Sequence, residues 1–382
     1  VSQLVSSKLS NIKESIFSTM TRLSDAHSAI NLSQGFPEFN CSPKLLEHME
    51  RALRAGHNQY APMPGIMALR EAIAQMVEQR HGKAYDPASE ITIAAGATQA
   101  LYTAISAFVH EDDEVVVFEP AYDSYVPAIR MQGGRPVFVQ LQHPDYRIDW
   151  NAVNKVVNSR TRMIILNSPH NPTGAVLTEE DLRKLSKLLR GSRILVLSDE
   201  VYENILFDNR THQSVSRFPD LAERSIVISS FGKTYHTTGW KVGYVMAPAE
   251  LTKEYRRIHQ FVAFAVNTPA QHAFAAILSD KDSYLQLRHF YQAKRDLFVK
   301  LLAQTRFRVQ PAQGTYFQLL DYSPITDESD TDFANRVVKE FGVASVPISV
   351  FYHQRLDHKV LRFCFAKEDS TLERAVERLA KI

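Results

Sequence analysis

Between positions 91 and 247, short apolar β-rich runs alternate with amphipathic stretches of helical period. The runs fall over 91–95, 114–118, 162–167, 193–198, 225–229 and 242–247. The helical stretches fall over 98–109, 122–131 and 178–189, with Thr178 placed to cap the last. Runs such as Glu114-Val-Val-Val-Phe118 lack polar alternation, as strands do when both faces are buried. The pattern predicts an α/β domain with a mostly parallel central sheet flanked by helices. It also predicts where a site lies, because ligands in such sheets bind beyond the carboxyl ends of the strands. From about position 268 the pattern changes. Helical stretches over 268–278, 283–304 and 371–380 accompany short strands over 316–320, 343–346 and 360–365, which suits a smaller α+β domain. The expected division is an N-terminal arm and part of the small domain at 1–45, the large domain at 46–280 and the small C-terminal domain at 281–382.

Composition narrows the function. The chain has 382 residues, 45% hydrophobic and 23% charged, as ordinary globular domains have. A net charge of +2 and the lack of long like-charge runs predict no nucleic-acid or membrane partner. Cys41 and Cys364 form neither a disulfide framework nor a CxxC pair, which fits a reducing cytoplasm. Positions 1–17 lack the apolar core of a signal peptide, and the runs at 193–197 and 261–266 fall short of the roughly 20 residues that span a bilayer. The sequons at Asn31, Asn40 and Asn209 read as chance matches in an unsecreted chain. The histidines show no HExxH spacing, so no metal is expected. Ser229-Ser-Phe-Gly-Lys-Thr234 ends like a P-loop, but Val227 stands where the first glycine is needed, and no GxGxxG follows a strand.

The expected strand ends carry the chemistry. The run at 91–95 leads into Gly96-Ala97-Thr98 at a helix start, where backbone N–H groups and the helix dipole favour an anion. The run at 162–167 leads into Ser168-Pro-His-Asn171-Pro-Thr-Gly174. The run at 193–198 leads into Asp199-Glu-Val-Tyr202, where one helical turn would place Asp199 and Tyr202 on the same face. The run at 225–229 leads into Ser230, with Lys233 shortly after. Small residues, an amide, a carboxylate, a phenol and a lysine on one sheet edge suit an aromatic, phosphate-bearing cofactor that needs an imine-forming lysine.

With these residues in place, the sequence resembles the class I aminotransferases, pyridoxal 5'-phosphate enzymes of fold type I. The likeness runs from Asn31-Leu-Ser-Gln-Gly-Phe-Pro37 to Leu361-Arg-Phe-Cys-Phe-Ala366. Within that family it is most similar to the kynurenine, glutamine and methionine aminotransferases, with a bacterial methionine aminotransferase the specific expectation. The resemblance implies that Lys233 is the Schiff-base lysine and proton carrier. Asp199 would pair with the pyridine nitrogen, and Tyr202 and Asn171 would hydrogen-bond the cofactor's phenolic oxygen. Gly96, Ala97, Thr98, Ser230 and Lys241 would hold the phosphate; many family members carry arginine in place of Lys241. Tyr122 would stack on the ring. Tyr60 would reach the phosphate of the neighbouring subunit, which makes a homodimer necessary. Arg362, with Gly35 and Asn171, would bind the substrate α-carboxylate through a bidentate fork.

The stretch 261–267 has no arginine for a distal carboxylate, and Phe36 belongs at the mouth. An apolar or aromatic amino acid is therefore the expected donor, methionine favoured, in a ping-pong transamination with a 2-oxo acid. The same residues could instead run a cysteine-S-conjugate β-lyase. A non-catalytic regulator on this fold would need a DNA-binding extension, and no basic helix-turn-helix stretch precedes Asn31.

Overall fold

The computed structural model describes residues 7–10, 12 and 14–382. Its centre is a seven-stranded sheet. The strands are β1 (Ile91–Ala94), β2 (Glu114–Glu119), β3 (Arg135–Gln140), β4 (Thr161–Asn167), β5 (Leu195–Asp199), β6 (Ser225–Ser230) and β7 (Gly243–Met246). Their spatial order is β1-β7-β6-β5-β4-β2-β3. Neighbours from β6 to β3 pair parallel, and β7 runs antiparallel to both β6 and β1. Every residue of β2, β5 and β6 is buried, and the apolar runs at their centres, 115–118, 195–197 and 226–228, are what such burial on both faces requires. Helices Met67–His81 and Glu179–Leu189 pack into the core on one face of the sheet, and Ala97–Phe108 and Tyr125–Met131 into that on the other. Thr178 caps its helix as expected: its Oγ1 accepts from Asp181 N, and the Asp181 carboxylate accepts from Thr178 N.

Register aligns the strand ends. Asn167 sits opposite Asp199, Ser230 opposite Gly243, and Gly243 opposite Ala94. The residues expected to converge are thus delivered to one edge of the sheet by pairing alone.

A smaller antiparallel sheet follows, built of β8 (Arg308–Val309), β9 (Phe317–Asp321), β10 (Val346–Pro347) and β11 (Val360–Cys364), in the order β10-β11-β9-β8. Its core is continuous with the N-terminal segment: Met20 and Leu32 are buried in the same cluster as Phe317, Leu361 and Leu372. Ile30–Asn31 pairs parallel with Val343–Ala344, and Cys364 N donates to Leu32 O. Leu45 lies instead in the core beneath the large sheet.

The structure corrects several local expectations. The run at 343–346 is not one strand. It divides at Ser345, giving one half to the N-terminal segment and the other to β11. The helix expected over 283–304 divides at Gln286 into Asp282–Leu285 and Leu287–Leu302. The edge strand β3 carries Pro136 and an exposed first residue, a combination tolerated only where a ladder is open on one side, and the sequence pattern gave no strand there. Residues 200–204 form hydrogen-bonded turns rather than a helix, because Glu200 N is held by Ile228 O on β6 at 2.8 Å. No helix among the described residues is long and apolar enough to cross a membrane. Both cysteines are free, Cys41 half-buried and Cys364 buried.

Candidate active site

Beyond the ends of β1, β4, β5 and β6 lies a cavity of about 210 Å³. Gly96, Ala97, Thr98, Tyr122, Asn171, Asp199, Tyr202, Ser230, Lys233 and Lys241 all line it. A wider groove of about 1620 Å³ opens beside it and shares Thr98, Tyr122 and Lys241 as walls. Gly35 and Arg362 stand behind the cavity and act on its lining residues through hydrogen bonds. Tyr60 is not brought to the cavity within the chain. It is 82% exposed and meets Phe264 edge-on at 5.2 Å.

Lys233 rides on the one-turn helix Phe231–Thr234 that follows β6 directly. Its Nζ donates to Tyr316 OH at 2.8 Å and to Gly35 O at 3.0 Å, and Tyr316 OH donates to the same carbonyl at 2.6 Å. No carboxylate lies within ion-pair distance of this ammonium among the described residues. Desolvation lowers its pKa from 10.5 to about 8, with Arg362 and Lys241 adding repulsion while Asp199 opposes. Between pH 8 and 10.5 the unfolded chain therefore binds more protons here than the folded one. The destabilising effect of Lys233 is full below pH 8 and fades as pH rises through that window. In cofactor-free protein, Lys233→Met is thus expected to gain stability over the parent at pH 7, and the gain is expected to shrink by pH 10. Urea midpoints measured at both pH values check this; a pH-independent gap contradicts it.

Asp199 ends β5 and is 3% exposed. Its Oδ2 accepts from Tyr125 OH at 2.6 Å, and its Oδ1 from Val201 N at 3.3 Å. Burial raises its pKa to about 6, against the lowering effect of the Tyr125 hydrogen bond. Asn167 fixes the turn beside it: Nδ2 donates to Asp199 O at 3.0 Å, and Oδ1 accepts from Asn171 N at 2.8 Å.

Arg362, on β11, is fully buried. Nη1 donates to Asn171 Oδ1 at 2.8 Å and Nη2 to Ser33 O at 3.0 Å, while Nε has no partner among the described residues. The guanidinium lies 3.9 Å from the Phe317 ring centroid and 5.0 Å from that of Phe17. Burial pulls its pKa down to about 10. No carboxylate pairs with it among the described residues, so it is not a structural ion pair within the sheet. A buried cation with a spare N–H is a receptor for an anion.

The phosphate candidates also fit an anion. Gly96 has φ +80°, and a Cβ there would meet Lys241 Cε and Nζ at 3.3 Å. A lysine ammonium thus lies against the glycine that opens helix Ala97–Phe108. The first N–H groups of that helix have no intrahelical partner and face the same end. Ser230 is buried on the cavity wall, and Thr98 Oγ1 lies 3.4 Å from Tyr122 OH. The donor set therefore fits pyridoxal 5'-phosphate. Gly96, Ala97, Thr98, Ser230 and Lys241 would hold the phosphate, Tyr122 the ring, Asp199 the ring nitrogen, Tyr202 and Asn171 the phenolic oxygen, and Lys233 the aldehyde.

Sequence reasoning missed Tyr125, Asn167 and Tyr316. Tyr125 follows Tyr122 at helical spacing, and Asn167 ends an expected strand, so both had a local signal. Tyr316 had none: its link to Gly35 spans 281 positions.

Comparison with known proteins identifies the family. Residues 27–379 match the family model for aminotransferase class I and II. A methionine aminotransferase of Escherichia coli is 48% identical over 98% of this chain and 98% of its own length. A probable N-succinyldiaminopimelate aminotransferase of Mycobacterium tuberculosis is 37% identical over 98% of this chain and 97% of its own. A solved structure of an Escherichia coli enzyme with methionine aminotransferase function superposes with a TM-score of 0.97 at 47% identity, covering 99% of both chains. The chain belongs to the class I and II aminotransferases, enzymes of fold type I that transfer amino groups with pyridoxal 5'-phosphate.

Proposed function

We propose that the protein transfers the amino group of an apolar or aromatic L-amino acid, methionine above others, to a 2-oxo acid by a ping-pong route. One observation carries this: a lysine with a lowered pKa and, among the described residues, no ion-pair partner shares one cavity with a buried aspartate, beside a buried arginine whose Nε is left spare by those same residues. The bound cofactor would supply an electron sink for the substrate α-carbon. The chain's own residues do the rest. Lys233 Nζ, neutral in an appreciable fraction of molecules near pH 8, is able to attack an aldehyde and to move the proton of the substrate α-carbon. Asp199 would hold a proton on the ring nitrogen of the bound cofactor. Arg362 and Asn171 grip the α-carboxylate, and Tyr316 with Gly35 O aims the lysine.

On this reading the unit at 46–280 holds the cofactor, while 281–382 with part of 1–45 supplies Arg362 and Gly35. The exposed ring of Tyr60 suits a homodimer in which it reaches the partner's phosphate. Two free cysteines suit a cytoplasmic enzyme.

Apolar specificity is supported by the rings around the guanidinium. Phe17 and Phe351 lie 6.0 Å apart, at 5.0 and 5.8 Å from Arg362 Cζ. In a donor panel against one 2-oxo acid, methionine and phenylalanine are expected to exceed aspartate by at least about 100-fold in kcat/KM, because a carboxylate would be desolvated against rings without a partner. Aspartate or a succinylated diamino acid dominating the panel would refute this specificity.

A further inference from the structure

The turn that carries Asp199 and Tyr202 carries two more charged groups on its other side. Glu200 and Glu203 are 2% and 4% exposed and do not line the cavity. Burying two carboxylates is costly before partners are counted, and an apolar pair of similar volume would avoid that cost. Their partners show what they hold.

Glu203 Oε1 accepts from Ser229 Oγ at 2.6 Å and from Tyr244 OH at 2.8 Å. Its Oε2 lies 3.2 Å from Arg80 Nη1 and 3.7 Å from His81 Nε2, at the end of helix Met67–His81. Ser229 directly precedes Ser230 on β6, the strand that delivers Lys233, and Tyr244 is on the antiparallel strand β7. One carboxylate therefore ties the turn bearing Asp199 and Tyr202 to the strand end bearing Ser230 and Lys233. Next to it, Asn204 Nδ2 donates to Thr234 Oγ1 at 2.9 Å, a second tie one residue from Lys233. Glu200 anchors the other end of the turn: Oε1 accepts from Ser198 Oγ at 2.8 Å, and Oε2 meets His212 Nε2 at 2.7 Å. The turn has no continuous helical ladder, only backbone bonds such as Glu203 N to Glu200 O at 2.9 Å and Glu200 N to Ile228 O at 2.8 Å, so these side chains supply much of what fixes its geometry.

We propose that Glu203 is a positioning residue for transamination: it sets the spacing between Asp199 and Lys233 by bridging the 200–204 turn to Ser229 and Tyr244. The proposal rests on the cofactor reading given above. Reacting groups held slightly out of place lose rate with little change in ground-state binding, so the effect belongs in kcat.

Two variants test it. Glu203→Gln keeps the shape and removes the charge; Tyr244→Phe removes only one donor to that carboxylate. Each is expected to lower kcat about 5- to 10-fold with KM for the amino donor within about twofold. Each is also expected to alter the visible circular dichroism of the bound cofactor, which reports its orientation and which a loss of stability alone leaves unchanged. The double variant is expected to be no worse than the poorer single, since both act through one carboxylate. Wild-type kcat and visible dichroism in both variants, whatever happens to their melting temperatures, overturn the proposal. If Glu203→Gln does not fold, Tyr244→Phe alone decides by the same readouts. Unmutated protein, saturated with pyridoxal 5'-phosphate, that shows no visible dichroic band removes the cofactor reading and the brace with it; that failure is told apart because it occurs without any substitution.

Discussion

Replacing Lys233 with alanine is expected to lower turnover by about 10⁴-fold or more, the upper range for loss of a positioned proton carrier. The geometry leaves no substitute among the described residues. Lys241 also reaches the cavity, but its Nζ lies against Gly96 at the start of helix Ala97–Phe108, the end proposed to hold the phosphate. Lys233 Nζ is aimed by Tyr316 OH and Gly35 O, partners from the N-terminal segment and from the chain beyond position 281 that Lys241 does not share. The fold is expected to survive. Position 233 is half-buried, and its removal relieves the desolvation that lowers the lysine's pKa. Alanine there leaves Gly35 O with the Tyr316 hydroxyl. Single-turnover amino transfer from methionine checks the outcome. Activity within tenfold of the parent, in protein shown to be folded, contradicts the role.

Asp199→Asn is expected to cost on the order of 10³-fold in kcat with a smaller change in cofactor affinity. The amide keeps the shape and can still accept from Tyr125 OH, so packing at the end of β5 is preserved. It cannot carry the negative charge that keeps a facing ring nitrogen protonated, and without that proton the ring is a poor electron sink. The phosphate cradle and Lys233 are untouched, which is why rate falls more than binding. Kinetics paired with a cofactor titration separate the two effects. An Asp199→Asn enzyme with parental kcat would show that the carboxylate merely ends the strand.

How far the sequence alone reaches depends on the range of the interactions involved. The buried strands were legible because Val-, Ile- and Leu-rich runs have few other places to go, and the strand ends then pointed to Gly96, Ala97, Thr98, Asn171, Asp199, Tyr202, Ser230 and Lys233 in the cavity lining, whereas Tyr122 and Lys241 came from the family resemblance. Thr178 was legible as a cap because its partner, Asp181, is three residues away. The edge strand Arg135–Gln140 was not, since one open side relaxes the demand for apolar residues that makes central strands conspicuous. Nor was the division of 343–346, because two neighbours distant in sequence claim its halves. Asp199 and Tyr202 share the cavity without the helical turn that spacing suggested; sheet pairing at Glu200 and the carboxylate of Glu203 place them instead. Tyr316 and Glu203 share one property: each earns its place through a partner on another element, which no local pattern encodes.

The central claim is a covalent bond between Lys233 and the cofactor aldehyde, and it is tested most directly by reducing the holoenzyme with borohydride and mapping the modified peptide by mass spectrometry. A phosphopyridoxyl group on Lys233, prevented by prior addition of methionine, is the expected result. A label on Lys241 or any other lysine, or none on cofactor-saturated protein, contradicts it.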